Sequence, residues 1–153
     1  MITAVDTNVL IDVLRGDPGQ GRASALALGR CLGEGEVVAC DAVVGELAQF
    51  YTDPTAAARE LAWLGVRHAP SPPGAALEAA RIQRQYRIQG GGRGRILADF
   101  LIAAHAQAVA DRLLTRDRGF YRAHFPRLTI IDPSAPERKP GSALPELTPP
   151  RGR

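Results

Sequence analysis

Lysine is almost absent from this chain. Lys139 is the only one, so nearly all the positive charge sits on arginine. Aromatic residues are also scarce, at 5% against 45% hydrophobic residues overall. The core must therefore be aliphatic, built from Leu, Val, Ile and Ala. The only cysteines, Cys31 and Cys40, are too few for a disulfide scaffold and have no zinc-binding spacing. They are expected to be reduced, buried residues of a cytoplasmic protein. No stretch approaches the ~20 apolar residues of a membrane span. The opening MITAVDTNVL lacks a basic n-region and meets Asp6 at once, which argues against a signal peptide. No internal repeat is present.

What is there fits one domain with a tail. The 153 residues carry a net charge of +3, compatible with a polyanionic partner without requiring one. Arginine holds phosphate in a planar fork and stacks on bases. A GC-rich genome produces the same arginine bias, so composition alone does not choose between these causes.

Along the chain, short apolar runs alternate with helical patterns. Residues 2–5, 37–40, 66–69, 113–115 and 128–131 read as strands. Helices are expected from Thr7, through the Ala- and Leu-rich segment to Gly33, and from an Asp41 cap to about Tyr51. Further helices are expected after Pro54 to near Gly65, from Ser71-Pro72-Pro73 to Ile88, over 96–109 and over 120–124. This is the pattern of an α/β fold with a parallel sheet covered on both faces. Beyond Asp132 the composition shifts, with six of the twelve prolines between Pro133 and Pro150. Residues 1–132 read as the domain and 133–153 as a Pro-rich, flexible tail.

The chemistry lies in the acids. Asp6 and Asp117 follow buried strands, where parallel α/β sheets bind ligands. Each could instead simply cap the helix that follows it. Asp99 lies in Ile96-Leu97-Ala98-Asp99-Phe100-Leu101-Ile102, apolar on nearly every side, where a carboxylate must be paired, protonated or bound to metal. Its one local partner by spacing is Arg95, four residues back. Glu46 sits mid-helix with no Lys or Arg between Cys31 and Ala58; the plainer reading is an exposed helical Glu. Four carboxylates without His or Cys beside them suit Mg²⁺ or Mn²⁺ rather than zinc. Such a cluster repels itself and raises some pKa values unless a cation fills it. One or two divalent ions there polarise a phosphoryl oxygen and activate water for in-line attack.

These residues fall in ordered motifs. They are Val5-Asp6-Thr7-Asn8, Glu46, Ala98-Asp99-Phe100-Leu101-Ile102-Ala103-Ala104-His105-Ala106, and Leu114-Thr115-Arg116-Asp117-Arg118-Gly119-Phe120. Over about residues 1–132 the chain resembles PIN-domain proteins of the VapC toxin type. The resemblance implies a three-layer α/β/α fold with a central parallel sheet of about four to five short strands. It implies an Mg²⁺-dependent endoribonuclease (Mn²⁺ being possible) with Asp6, Glu46, Asp99 and Asp117 as catalytic metal ligands. Thr7, Asn8 and Thr115 would orient those carboxylates. It further implies an RNA substrate, a homodimer, and a cognate antitoxin that blocks the cleft. An inactive PIN-like scaffold that only binds partners is the non-enzymatic alternative, and it would be expected to have lost acids. A phospho-acceptor domain would want a late-strand lysine, which this chain does not have.

Other residues carry weaker signals. Arg93 and Arg95, in the loop before the Asp99 helix, and Arg116 and Arg118, flanking Asp117, are the candidate RNA-binding residues. Arg81, Arg84 and Arg87 share one helix face and read as solvated surface, opposite Ala75, Ala79, Ile82 and Tyr86. Gly90-Gly91-Gly92-Arg93-Gly94 lacks the ending of a phosphate-binding P-loop. It is expected to be a flexible connector that orders on RNA or partner binding. His68, His105 and His124 share no ligand spacing and are expected to be structural. Trp63 is expected to pack within its helix.

Overall fold

Short β-branched runs with no polar side become strands buried on both faces, and each such strand needs a helical crossover to its neighbour. The structure, a computed structural model, describes residues 1–135 and meets that demand with five strands joined by four helical crossovers. β1 (Ile2–Val5) leads into α1 (Thr7–Arg15) and α2 (Gly21–Glu34), then β2 (Glu36–Ala39). α3 (Asp41–Ala48) and α4 (Ala56–Trp63) precede β3 (Val66–His68). α5 (Pro73–Ile88) and α6 (Leu97–Val109) lead to β4 (Arg112–Leu114), and α7 (Arg118–His124) to β5 (Thr129–Ile131). The sheet order is β3-β2-β1-β4-β5, and every pairing is parallel.

The order has one reversal. From β1 the chain moves outward through β2 to β3, then returns to the far side of β1 to lay down β4 and β5. α6, which makes the return, packs on α5, α3, β1 and β4. It buries Phe100, Ile102, Ala103, Ala104, His105 and Ala106, as an all-round apolar helix must. Cys31 and Cys40 are free and buried. Among the described residues, no helix is long and apolar enough to cross a membrane.

The structure departs from the sequence expectations in four places. Trp63 is 77% exposed, not packed. α4 buries only Ala57 and Leu61, one turn apart, and Trp63 falls on the opposite face. Asp41 does not cap α3; Cys40 holds that position. The Asp41 carboxylate instead accepts from the Ser71 backbone N–H and contacts His68 Nε2, each at 2.8 Å. Pro133 is buried, and the Ser134 N–H and hydroxyl donate to Asp132 at 2.9 and 2.7 Å, so the expected tail begins as an ordered turn. The rest of that expectation, residues 136–153, lies outside the described residues.

The fourth departure is the glycine-rich connector, whose first half is a built helix terminus. Gly90 adopts φ +85°, which L side chains rarely take. The Gly91 N–H donates to the Tyr86 carbonyl at 2.9 Å. Gly91 lies so close to the Tyr86 ring that a Cβ there would meet it at 2.4 Å. That ring is held by Phe100, Phe120 and His124, with centroids 5.6, 6.1 and 5.0 Å away. Gly91→Ala is therefore expected to lower stability by roughly 1–3 kcal/mol, as overpacking does. Chemical denaturation measures this, and an unchanged midpoint would show that the Tyr86 cluster yields freely.

Candidate active site

At the strand-order reversal, the carboxyl ends of β1 and β4 lie side by side, with Val5 opposite Leu114. The next residue of each strand is polar: Asp6 after β1 and Thr115 after β4. Crevices at such reversals are where open α/β sheets bind ligands. A cleft of about 400 Å³ opens there, lined by all four predicted acids, Asp6, Glu46, Asp99 and Asp117, together with Thr7 and Asn8.

Asp6 is buried in this cleft. It occupies the position that caps α1 but makes no side-chain cap hydrogen bond. Its Oδ2 accepts instead from the Thr115 hydroxyl at 2.6 Å and the Asn8 amide at 2.8 Å. The Thr115 oxygen in turn accepts from the Asp117 backbone N–H at 3.0 Å and from Asn8 at 3.3 Å. Thr7 donates its hydroxyl to Glu46, which α3 carries to the cleft. Thr7, Asn8 and Thr115, which the resemblance implied would orient carboxylates, each hydrogen-bond to Asp6 or Glu46.

Asp99 lies in the first turn of α6, and its carboxylate accepts from the Ile96 N–H at 3.1 Å. Asp117 also sits at a cap position without a side-chain cap bond. Its carboxylate is held by the Arg95 guanidinium, which lies 3.9 Å from Asp99. The Arg95–Asp99 pairing expected from spacing is therefore the longer of two contacts. Arg95 also lies over the Phe120 ring, 4.3 Å from its centroid.

The electrostatics follow from burial and like charge. Burial, aided by Glu46 and Asp99, pushes Asp6 up to about 6 against the opposing hydrogen bond from Thr115. Burial and Asp117 raise Asp99 above the ordinary carboxylate range, offset in part by the Ile96 N–H and Arg95. Tyr121, missed at the sequence level, is fully buried; burial, then Asp6, Asp99 and Asp117, raise its phenol far above the usual range. It stands on α7, four residues after Asp117, which is the cap of that helix.

The remaining candidates have definite places. Arg116 pairs with Asp12 at 2.8 Å, and Arg118 pairs with Asp132. Arg93 is exposed. Asp12 was not predicted; it is buried in α1 and also accepts from the Ser24 hydroxyl at 2.7 Å. Its signal was an acid three residues after buried Val9. His105 is buried with Nε2 unpartnered, His68 meets Asp41, and His124 packs on Tyr86 and Phe120.

Among the described residues, no three His, Cys, Asp or Glu side chains stand ready-arranged around one point as a metal cradle. The acids are instead engaged one by one: Glu46 by Thr7, Asp99 by the start of α6, and Asp117 by Arg95. The donor chemistry, oxygen only and self-repelling, fits a hard divalent cation.

Residues 3–126 match the PIN domain family, and the chain belongs to it. No curated protein matches it in sequence. Solved structures of the same fold include VapBC2 from Rickettsia felis bound to a DNA fragment from its promoter. That structure is 17% identical with TM-score 0.65, covering 86% of this chain and 98% of its own. FitAcB from Neisseria gonorrhoeae is 23% identical with TM-score 0.62, covering 87% and 98%. VapC20 of Mycobacterium tuberculosis, a toxin cleaving the sarcin–ricin loop, is 15% identical with TM-score 0.57, covering 83% and 98%.

The raised Asp6 has a testable sign. An acid whose folded pKa lies above its unfolded value favours the folded state at low pH. That contribution is lost as pH rises from the ordinary 3.8 through about 6. In EDTA, the stability of Asp6→Asn relative to the native protein should rise by about 2 kcal/mol between pH 4 and pH 7. Denaturant titrations of both proteins across that range measure it. A difference independent of pH would mean that Asp6 ionises without penalty.

Proposed function

We propose that this chain is a divalent-metal-dependent endoribonuclease, the toxin of a toxin–antitoxin pair. The observation that carries the reading is the meeting of Asp6, Glu46, Asp99 and Asp117, from four separate segments, in one cleft at the sheet's switch point. Helix caps or surface acids have no reason to converge there. The fold shared with VapBC, FitAcB and VapC20 structures supports the same reading.

In this reading Asp6 and Asp99 are the main metal ligands, with Asp117 and Glu46 completing the set. Bound Mg²⁺ or Mn²⁺ supplies Lewis-acid polarisation of the scissile phosphate and makes water acidic enough to attack at neutral pH. The chain's own part is orientation. Thr115 and Asn8 fix one oxygen of Asp6, and Thr7 donates its hydroxyl to Glu46. Arg93, which is exposed, would meet the phosphate backbone in this reading, in the manner of arginine forks. A homodimer, a cognate antitoxin covering the cleft, and a cytoplasmic setting belong to the same proposal.

The test is cleavage of a loop-containing RNA by protein purified free of any partner. We expect cutting with Mg²⁺ or Mn²⁺, none in EDTA, and a loss exceeding about 100-fold in Asp6→Asn and Asp99→Asn. Equal cutting in EDTA would overturn the metal mechanism. RNA binding without cutting under any metal would return the protein to the scaffold reading.

A further inference from the structure

We propose that Arg95 is a built-in counter-ion of the metal-free site, which a divalent cation must displace from Asp117 and Asp99 in order to bind. The inference rests on the metal-dependent reading above and adds a regulating residue to that site.

Three contacts from two segments, α6 and the start of α7, converge on this one guanidinium. It donates to Asp117, lies 3.9 Å from Asp99 Oδ1, and stands 4.3 Å above the Phe120 ring. Asp117 and Asp99 repel each other, and the fork between them removes that repulsion. A guanidinium suits the place better than an ammonium, because it is planar, weakly hydrated and stacks on an aromatic face. Arg95 is thus placed where a cation's charge is needed, on two of the four expected ligands.

It cannot share that place. Arg95 donates to Asp117 Oδ2 and lies within ion-pair distance of Asp99, and two cations at contact distance from the same carboxylates repel. Binding at Asp117 and departure of Arg95 are therefore one exchange. The surroundings permit the exchange. The side chains of Arg95, Asp99 and Asp117 are 31%, 25% and 31% exposed, so the pair is open to water rather than sealed in the core. Gly94 and Gly92, just before Arg95, have open space around them, unlike Gly91 against Tyr86. Once released, Arg95 stands two residues from exposed Arg93 with a free fork, for which phosphate is the natural partner. The arginine would then leave carboxylates for substrate as the metal arrives.

The sign is unambiguous, because removing a competitor strengthens the ligand. Arg95→Gln should bind Mn²⁺ roughly five- to thirtyfold more tightly, the range left after discounting a charge-assisted pair for its exposure. In EDTA the same variant should melt at lower temperature than the native protein, since the acids have lost their counter-ion. Arg95→Lys, which keeps the charge and loses the fork, should fall between the two. In an Asp117→Asn background most of the gain should vanish, as expected when the two residues act on each other. Isothermal titration with Mn²⁺ and thermal melts in EDTA read all of this without any RNA. If the native protein binds Mn²⁺ and Arg95→Gln binds it equally or more weakly, the exchange is wrong while the metal reading stands. If neither protein binds Mn²⁺, both fail together.

Discussion

The parallel pairing of β1 with β4 is the constraint on which the site depends. The Asp6 N–H donates to the Leu114 carbonyl at 3.0 Å, extending the ladder one residue beyond the strands. That bond brings Asp6 alongside Thr115, whose hydroxyl has a single proton to give. Thr115 gives it to Asp6 and so must accept from the Asp117 N–H and from Asn8. One hydroxyl thereby couples the chain after β1, the first turn of α1 and the entry to α7. The direction of each bond is fixed, because an ionised carboxylate can only accept. A slip of one residue between these strands would turn Asp6 away and break the whole set.

Four acids around one cleft are costly, and the fold meets the cost differently at each. Asp99 uses the partial positive charge at the start of α6. Glu46 takes a neutral hydroxyl from Thr7, and Asp117 takes a full cation from Arg95. Asp6, the most deeply placed, has only neutral donors, and it is the one driven up to about 6. The ordering is physical: the acid farthest from water and from positive charge bears the largest penalty.

Much of this was legible in the residues. The strand and helix alternation gave the layered architecture, because buried parallel strands carry no polar face to confuse the pattern. The acids stood out because Asp6 and Asp117 follow apolar runs and Asp99 lies inside one. The expected Arg95–Asp99 pair is present at 3.9 Å, but the shorter pairing of Arg95 with Asp117 was not foreseen, for a definite cause. The four-residue spacing rule holds only within a helix, and Ile96 is the cap, so Arg95 lies before α6 begins. Freed from helical geometry, it reaches across to Asp117, 22 residues on. Trp63 was misjudged because residue type was weighed over position on a short helix. Asp12 and Tyr121 were passed over because each is one polar atom on a largely apolar side chain or stripe, and only the fold shows what faces it.

The arginine bias acquires a use that composition could not reveal. Arg116 ties the segment after β4 to Asp12 of α1, and Arg118 ties the start of α7 to Asp132 beyond β5. Arg95 ties the α5–α6 connector to Asp117. Each spans segments that the sheet alone would leave loosely joined. Arginine near the cleft is thus spent first on carboxylates, while Arg84, Arg87 and Arg93 remain exposed. A net charge of +3 therefore overstates the positive field that the acidic cleft itself presents. A polyanion is repelled at the acids and attracted only at the rim, until cations in the cleft reverse the balance. Under the proposed function, RNA binding and metal binding would then be coupled with positive sign, because each would lower the electrostatic cost of the other.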